Sequence, residues 1–227
     1  MKRQLVVFMG LDGSGKTTQA ELLSRWLTAQ GTPAEVVWMR GESYLTLPIL
    51  KIGKALLRAP RETKRGDGVH AGGDYDKYVS SKQSLFKNRL LRTIWRTLTV
   101  IDLYLSARVA FSKLARSTRV IVLDRYVYDT FIDIDSAFGG DGTELDRLLT
   151  SPLLRLFPQP EKVILIEISP EEAMQRKDDI PSIQYLRERH GLYDRVAEAV
   201  GAVRIDGTES IEQVNSRLTR EIEGVLH

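Results

Sequence analysis

The chain has 227 residues, 42% of them hydrophobic, enough for one sizeable core in a single domain spanning residues 1–227. No run approaches the roughly 20 apolar residues of a membrane span, Met-Lys-Arg leads straight into a strand pattern so no leader is expected, and zero cysteines exclude disulfides and thiolate metal sites, in keeping with a reducing cytoplasm and no membrane partner. The net charge of +3 is too small to argue for any partner by itself.

The first predicted strand, residues 4–9, runs into Gly10-Leu11-Asp12-Gly13-Ser14-Gly15-Lys16-Thr17-Thr18. Ala20, Leu22, Leu23, Trp26 and Leu27 then recur at helical spacing up to Gly31. A glycine-rich turn between strand and helix is a phosphate-binding P-loop. Its glycines admit positive φ and let successive N–H groups face an anion, with the helix N-terminus behind them. Lys16 adds a point charge for the β/γ-phosphates and Thr17 a hydroxyl for Mg²⁺. Gly10, Asp12, Gly13, Ser14, Gly15, Lys16, Thr17 and Thr18 are thus the candidate ATP-binding residues.

A second strand is predicted over residues 34–39, carrying Trp38 and followed by Arg40 and Glu42. Residues 59–76 hold Gly66, Gly68, Gly72 and Gly73 with many charges, and read as a long loop or a disordered excursion. Lys51 and Lys54 lead into a stretch at about 55–85 that Arg58, Arg61, Lys64, Arg65, Lys77 and Lys82 make a basic insertion: a solvated helix face, or a surface for nucleic acid or another polyanion. From 78 to 116 there is no proline or glycine, and Leu90, Ile94, Leu98, Ile101, Leu105 and Val109 return every three or four residues. One long helix, or two with a bend, follows.

Strands over 119–124, 162–168 and 202–206 complete an alternation of strand and helix. It predicts an α/β three-layer sandwich with a central five-stranded parallel sheet, and the continuously apolar third and fourth runs predict strands covered on both faces. In such sheets ligands sit beyond the carboxyl ends of the strands. Asp124 at the end of the third strand suits a hold on Mg²⁺ and its water, and Arg125 beside it suits a phosphate. Ser169-Pro170-Glu171-Glu172 is an N-cap, a proline at the first helical position and two acids at the positive helix end.

Four stretches resemble the thymidylate kinase-like family of nucleoside monophosphate kinases. Residues 8–18 are similar to its FEGxDGxGKTT opening, 103–108 to its LFAADR helix, 120–126 to its strand ending in DRY, and Val203-Arg204-Ile205-Asp206-Gly207-Thr208 to its closing strand and adenine-side loop. The resemblance implies a P-loop kinase fold, ATP and Mg²⁺ as cofactors, a homodimer through long helices, and transfer of a phosphoryl group to a nucleoside monophosphate, dTMP foremost. By position it makes Asp12 the acid facing the acceptor or Mg²⁺, Trp38 a base-stacking aromatic, Arg40 a bridge between donor and acceptor phosphates, and Arg108 the reader of the thymine edge. Arg125 becomes the holder of the acceptor phosphate and Thr130 a base contact, while Asp206, Gly207 and Thr208 flank adenine. A lid is implied at about 174–184. Because Gly13 is not arginine, the lid should supply the catalytic cation, Arg176 first, with Arg187 and Arg189 in reserve.

The chain departs from the family at Met9, where a glutamate is usual, and at Asp133, where a tyrosine crowds the sugar. These leave the acceptor open. A nucleoside kinase with Glu42 as base, a kinase for another phosphorylated acceptor, and an ATP-gated polyanion-binding module stand as alternatives.

Overall fold

A computed structural model of the chain describes residues 3–39 and 89–224. In order it runs β1 (Gln4–Met9), α1 (Lys16–Ala29), β2 (Ala34–Trp38), α2 (Arg89–Ser112), β3 (Val120–Asp124), α3 (Val127–Phe138) and α4 (Thr143–Leu149). A 3₁₀ turn over Pro152–Leu156 follows, then β4 (Lys162–Glu167), α5 (Pro170–Arg176), α6 (Ile183–Val200), β5 (Val203–Asp206) and α7 (Ile211–Glu223). The fold class is as the alternation predicts, one five-stranded sheet in the order β2-β3-β1-β4-β5 with every pairing parallel. Strands end a residue or so short of the sequence pattern at 39, 119, 168 and 202, because ladder pairing stops before the apolar run does.

Strand alternation divides the core. Leu5, Val7 and Met9 face Val100, Leu103, Phe131 and Leu186 from α2, α3 and α6. Val6 and Phe8 face Leu23 and Leu27 of α1 and Leu218 and Ile222 of α7. Both sheet faces are therefore covered, which is why β3 reads as five buried residues without polar alternation. Met9 lies fully buried on the α2 side, so a methionine there needs no partner for a charge.

The chain leaves β1 toward one edge and returns through β4 on the other side, making the β1–β3 boundary the topological switch point. The α1 N-terminus opens there on Gly15 at φ 89°. Gly10 stands at φ 140° with an added Cβ only 2.5 Å from the Ile166 carbonyl oxygen, so the loop's approach to β4 requires glycine.

The described part of the predicted long helix is α2, one helix without interruption. Its end is tied down by Arg3, whose Nη1 donates to Phe111 O at 3.1 Å and Nη2 to Ala115 O at 3.0 Å. Arg3 immediately precedes β1, so the last turns of α2 lie at the end of the sheet where strands begin. Residues 40–88, which include the basic insertion, lie outside the described residues.

Candidate active site

Seven side chains from the P-loop, α1, the end of β3, α3 and α6 meet beyond the carboxyl ends of β1 and β3. Lys16, on the first turn of α1, is buried and folds back over the loop, donating from Nζ to Leu11 O at 2.5 Å. Thr17 Oγ1 donates to Asp124 Oδ2 at 2.5 Å. The other oxygen, Asp124 Oδ1, is buried and has no hydrogen-bond partner. A hydroxyl and a carboxylate with a free, desolvated oxygen form the hard oxygen donor set that Mg²⁺ takes.

Arg125 follows Asp124 with φ 75°, the one non-glycine residue at positive φ among the described residues. Holding an arginine there costs about 1 kcal/mol or more, so the surrounding contacts must fix it. They do: its guanidinium pairs with Asp12 of the P-loop and with Asp129 at 2.9 Å, and lies 3.3 Å from Tyr193 Oη. Tyr193 Oη donates to Asp129 Oδ1 at 2.6 Å, and Asp129 Oδ2 accepts from the backbone N–H of Tyr126 at 3.1 Å. One carboxylate thereby starts α3 and orients the arginine.

Electrostatics follow burial and partners. Burial pushes the Asp12 carboxyl up, but Arg125, Lys16, Lys177 and Arg189 together hold it below its ordinary value. Burial would lower the Arg125 pKa, yet Asp129, Tyr193 and Asp12 leave it above the usual range. Tyr193 is raised, by burial first and Asp129 next, and so stays a neutral donor. Lys16 goes the other way. Burial and Arg125 outweigh Asp12, Asp129 and Asp124 and bring it from 10.5 to about 8.

On the far side of the loop, α5 packs against Gly13, where an added Cβ would sit 3.0 Å from Ala173 O. Arg176 closes α5, donating from Nη1 to Gly207 O at 2.9 Å and from Nη2 to Glu172 Oε1 at 2.6 Å. It therefore bridges the P-loop side of α5 to the loop after β5. In that loop Asp206 Oδ1 accepts from the backbone N–H and the hydroxyl of Thr208, forming an exposed turn.

The other sequence-predicted residues fall as follows. Trp38 is 60% exposed at the end of β2, in register with Asp124, which rules out a core role. Thr130 is buried on α3, one residue after Asp129. Arg108 is not brought to the cluster: it lines a cavity of about 350 Å³ with Tyr104, Phe111, Phe157 and Pro158, one turn from the Arg3 anchor. The helix is continuous to Ser112 and then short of β3, and that geometry carries Arg108 to the wrong end of the sheet for strand-end chemistry. Arg40 and Glu42 lie outside the described residues.

Sequence reasoning missed Asp129 and Tyr193. Asp129 stands four residues after Arg125 on a helix entry, a pairing distance that could have found it. Tyr193 had no local signal.

No family model matches the chain. Curated relatives do. A probable thymidylate kinase of Archaeoglobus fulgidus is 25% identical over 98% of this chain and 96% of that protein. The thymidylate kinase of Leptospira interrogans is 24% identical over 92% and 88%, and that of Cutibacterium acnes 26% over 98% and 97%. The chain is similar to these thymidylate kinases along nearly its whole length. It is an enzyme of the kinase class.

The lowered Lys16 pKa makes both nucleotide binding and fold stability depend on pH. A phosphate favours the charged amine, so ADP binding above pH 8 should draw in a proton, and ADP affinity is expected to fall as pH rises above about 8. Fold stability moves oppositely. Between those values the unfolded chain keeps a proton the folded chain has lost, so this group makes stability rise with pH. Calorimetric titration of ADP in buffers of different ionisation enthalpy reads the proton uptake. Its absence at pH 9 would contradict the assignment.

Proposed function

We propose that the enzyme transfers the γ-phosphoryl group of ATP to a nucleoside monophosphate, dTMP foremost, giving the diphosphate. The observation that carries this reading is the contact between Asp12 of the P-loop and Arg125 at the end of β3. It sets a second phosphate-binding cation directly beside the triphosphate cradle. Trp38, exposed at the neighbouring strand end, is available for a base, and the relatives named thymidylate kinases favour thymine as that base.

The chemistry asks for alignment and charge neutralisation. An acceptor phosphate is already a nucleophile, so no general base is required. Lys16 and the loop N–H groups hold the donor. Arg125 exchanges the Asp12 carboxylate for the acceptor phosphate, and Asp129 with Tyr193 keeps the guanidinium in place during the exchange. Arg40 would bridge the two phosphates. Thr17 and Asp124 would hold Mg²⁺, which when bound neutralises charge on the phosphates. Arg176, between Gly13 and Gly207, closes the donor side. The exposed apolar residues Ile101, Leu105 and Val109 on α2 supply a surface for a homodimer, and we place the enzyme in the cytoplasm.

Incubation with ATP, Mg²⁺ and a panel of nucleoside monophosphates and nucleosides tests the reading. ADP release is expected with monophosphates, dTMP above the rest. Turnover of nucleosides with monophosphates inert would replace it with nucleoside kinase chemistry.

A further inference from the structure

Four arginines lie on α5 and α6, the helices after β4, and one of them, Arg195, pairs with Asp146 at the surface. Arg176 has both ends of its guanidinium engaged, on Gly207 O and Glu172. Arg187 is exposed and pairs with Glu171 across the surface. Arg189 differs from both. It is largely buried, pairs through Nη2 with Asp133, and lies with its guanidinium carbon 4.4 Å from the centre of the Tyr185 ring. Its Nε is buried with no hydrogen-bond partner.

We propose that Arg189 binds the acceptor's phosphate together with Arg125, one arginine from each side of the seam between α3 and α6. The inference rests on the phosphoryl-transfer reading above and deepens it by naming a residue on the acceptor side.

The seam is built in two rungs. On α3, Asp129 and Asp133 are four residues apart and share a face. On α6, Arg189 and Tyr193 are likewise four apart. The first rung is Tyr193–Asp129–Arg125 and ends on Asp12. The second is Arg189–Asp133, one turn away. Arg189 is near enough to Asp12 that its charge helps hold that carboxyl low. A phosphate that takes the place of the Asp12 carboxylate on Arg125 therefore enters the field of Arg189 too.

The unsatisfied Nε points to a ligand. A buried donor without an acceptor is costly, and an ion pair serving stability alone has no reason to leave one. The planar fork of arginine can keep Asp133 on one nitrogen and offer the adjacent N–H to a phosphate oxygen, which a point charge cannot do as well. Asp133 holds the fork in place, and the Tyr185 ring fixes its plane.

The test is titration of each nucleoside monophosphate, dTMP included, into the full chain carrying a non-hydrolysable ATP analogue. Wild type, R189Q and R189K are compared, with ADP affinity measured separately. R189Q is expected to weaken the monophosphate by roughly tenfold to a hundredfold, the worth of a hydrogen bond to a charged group. ADP affinity should stay unchanged, and R189K should recover part of the loss. Equal monophosphate binding by wild type and R189Q overturns the inference alone. Equal weakening of ADP and monophosphate also overturns it, because that is general damage to the cleft. If wild type binds no monophosphate of the panel, the inference falls together with the phosphoryl-transfer reading. Should R189Q fail to fold, R189K carries the comparison, and unaltered monophosphate affinity there is the overturning result.

Discussion

Replacing Lys16 with methionine should lower kcat for ADP formation by about two to three powers of ten, the usual cost of one preorganised donor to developing charge. The fold should survive. Lys16 is buried in the loop, and burial disfavours its charged form enough to bring its pKa to about 8. Methionine has similar length and no charge to desolvate, so it removes that penalty, and Leu11 O and Ser14 Oγ each lose a donor. Thermal denaturation of K16M is accordingly expected to match or slightly exceed wild type while turnover collapses. A normal kcat in a folded K16M would end the assignment of this loop to the donor triphosphate. A collapse in both would mean that the lysine braces the loop, with catalysis lost as a by-product.

The two halves of the site were unequally readable in the sequence because they are encoded at different ranges. The donor half is local. Gly10 through Thr18 lie on one turn between one strand and one helix, and the need for glycine at Gly10, where the Ile166 carbonyl leaves no room for a Cβ, appears in the sequence as the glycine itself. The sheet was readable for a similar reason, since strands covered on both faces have no polar alternation to disguise them. The half around Arg125 is assembled from α3 and α6, whose residues are 64 positions apart at the Tyr193–Asp129 hydrogen bond. Nothing local in Tyr193 separates a core tyrosine from one that orients an arginine.

Arg108 shows the opposite error. Its neighbourhood resembles a motif, but a motif carries position only when the chain length around it is kept. With α2 ending at Ser112 and Arg3 gripping Phe111, the residue is set near the starting ends of the strands. Arg176 lies at the other end of the sheet from Arg108. The last residue of α5 was expected near the donor, and it lies beside Gly13, but with its guanidinium already on Gly207 O and Glu172.

Substituting Arg125 should have the largest combined effect on stability and activity, and the two parts can be separated. In Arg125→Met the carboxylates of Asp12 and Asp129 lose their shared cation. Asp129 is buried and Asp12 half-buried, so the loss is expected near the lower end of the cost of orphaning a buried charge, about 3 kcal/mol. The lower end applies because Asp129 keeps Tyr193 Oη and the Tyr126 N–H. Adding Asp129→Asn removes the stranded charge and should return part of the lost melting temperature. Activity should not return with it. If Arg125 grips the acceptor, the monophosphate KM rises by roughly tenfold to a hundredfold in both the single and the double variant while the ATP KM stays level. A double variant that regains stability and acceptor KM together would show that Arg125 serves only to neutralise the two acids, and that the acceptor phosphate is held elsewhere.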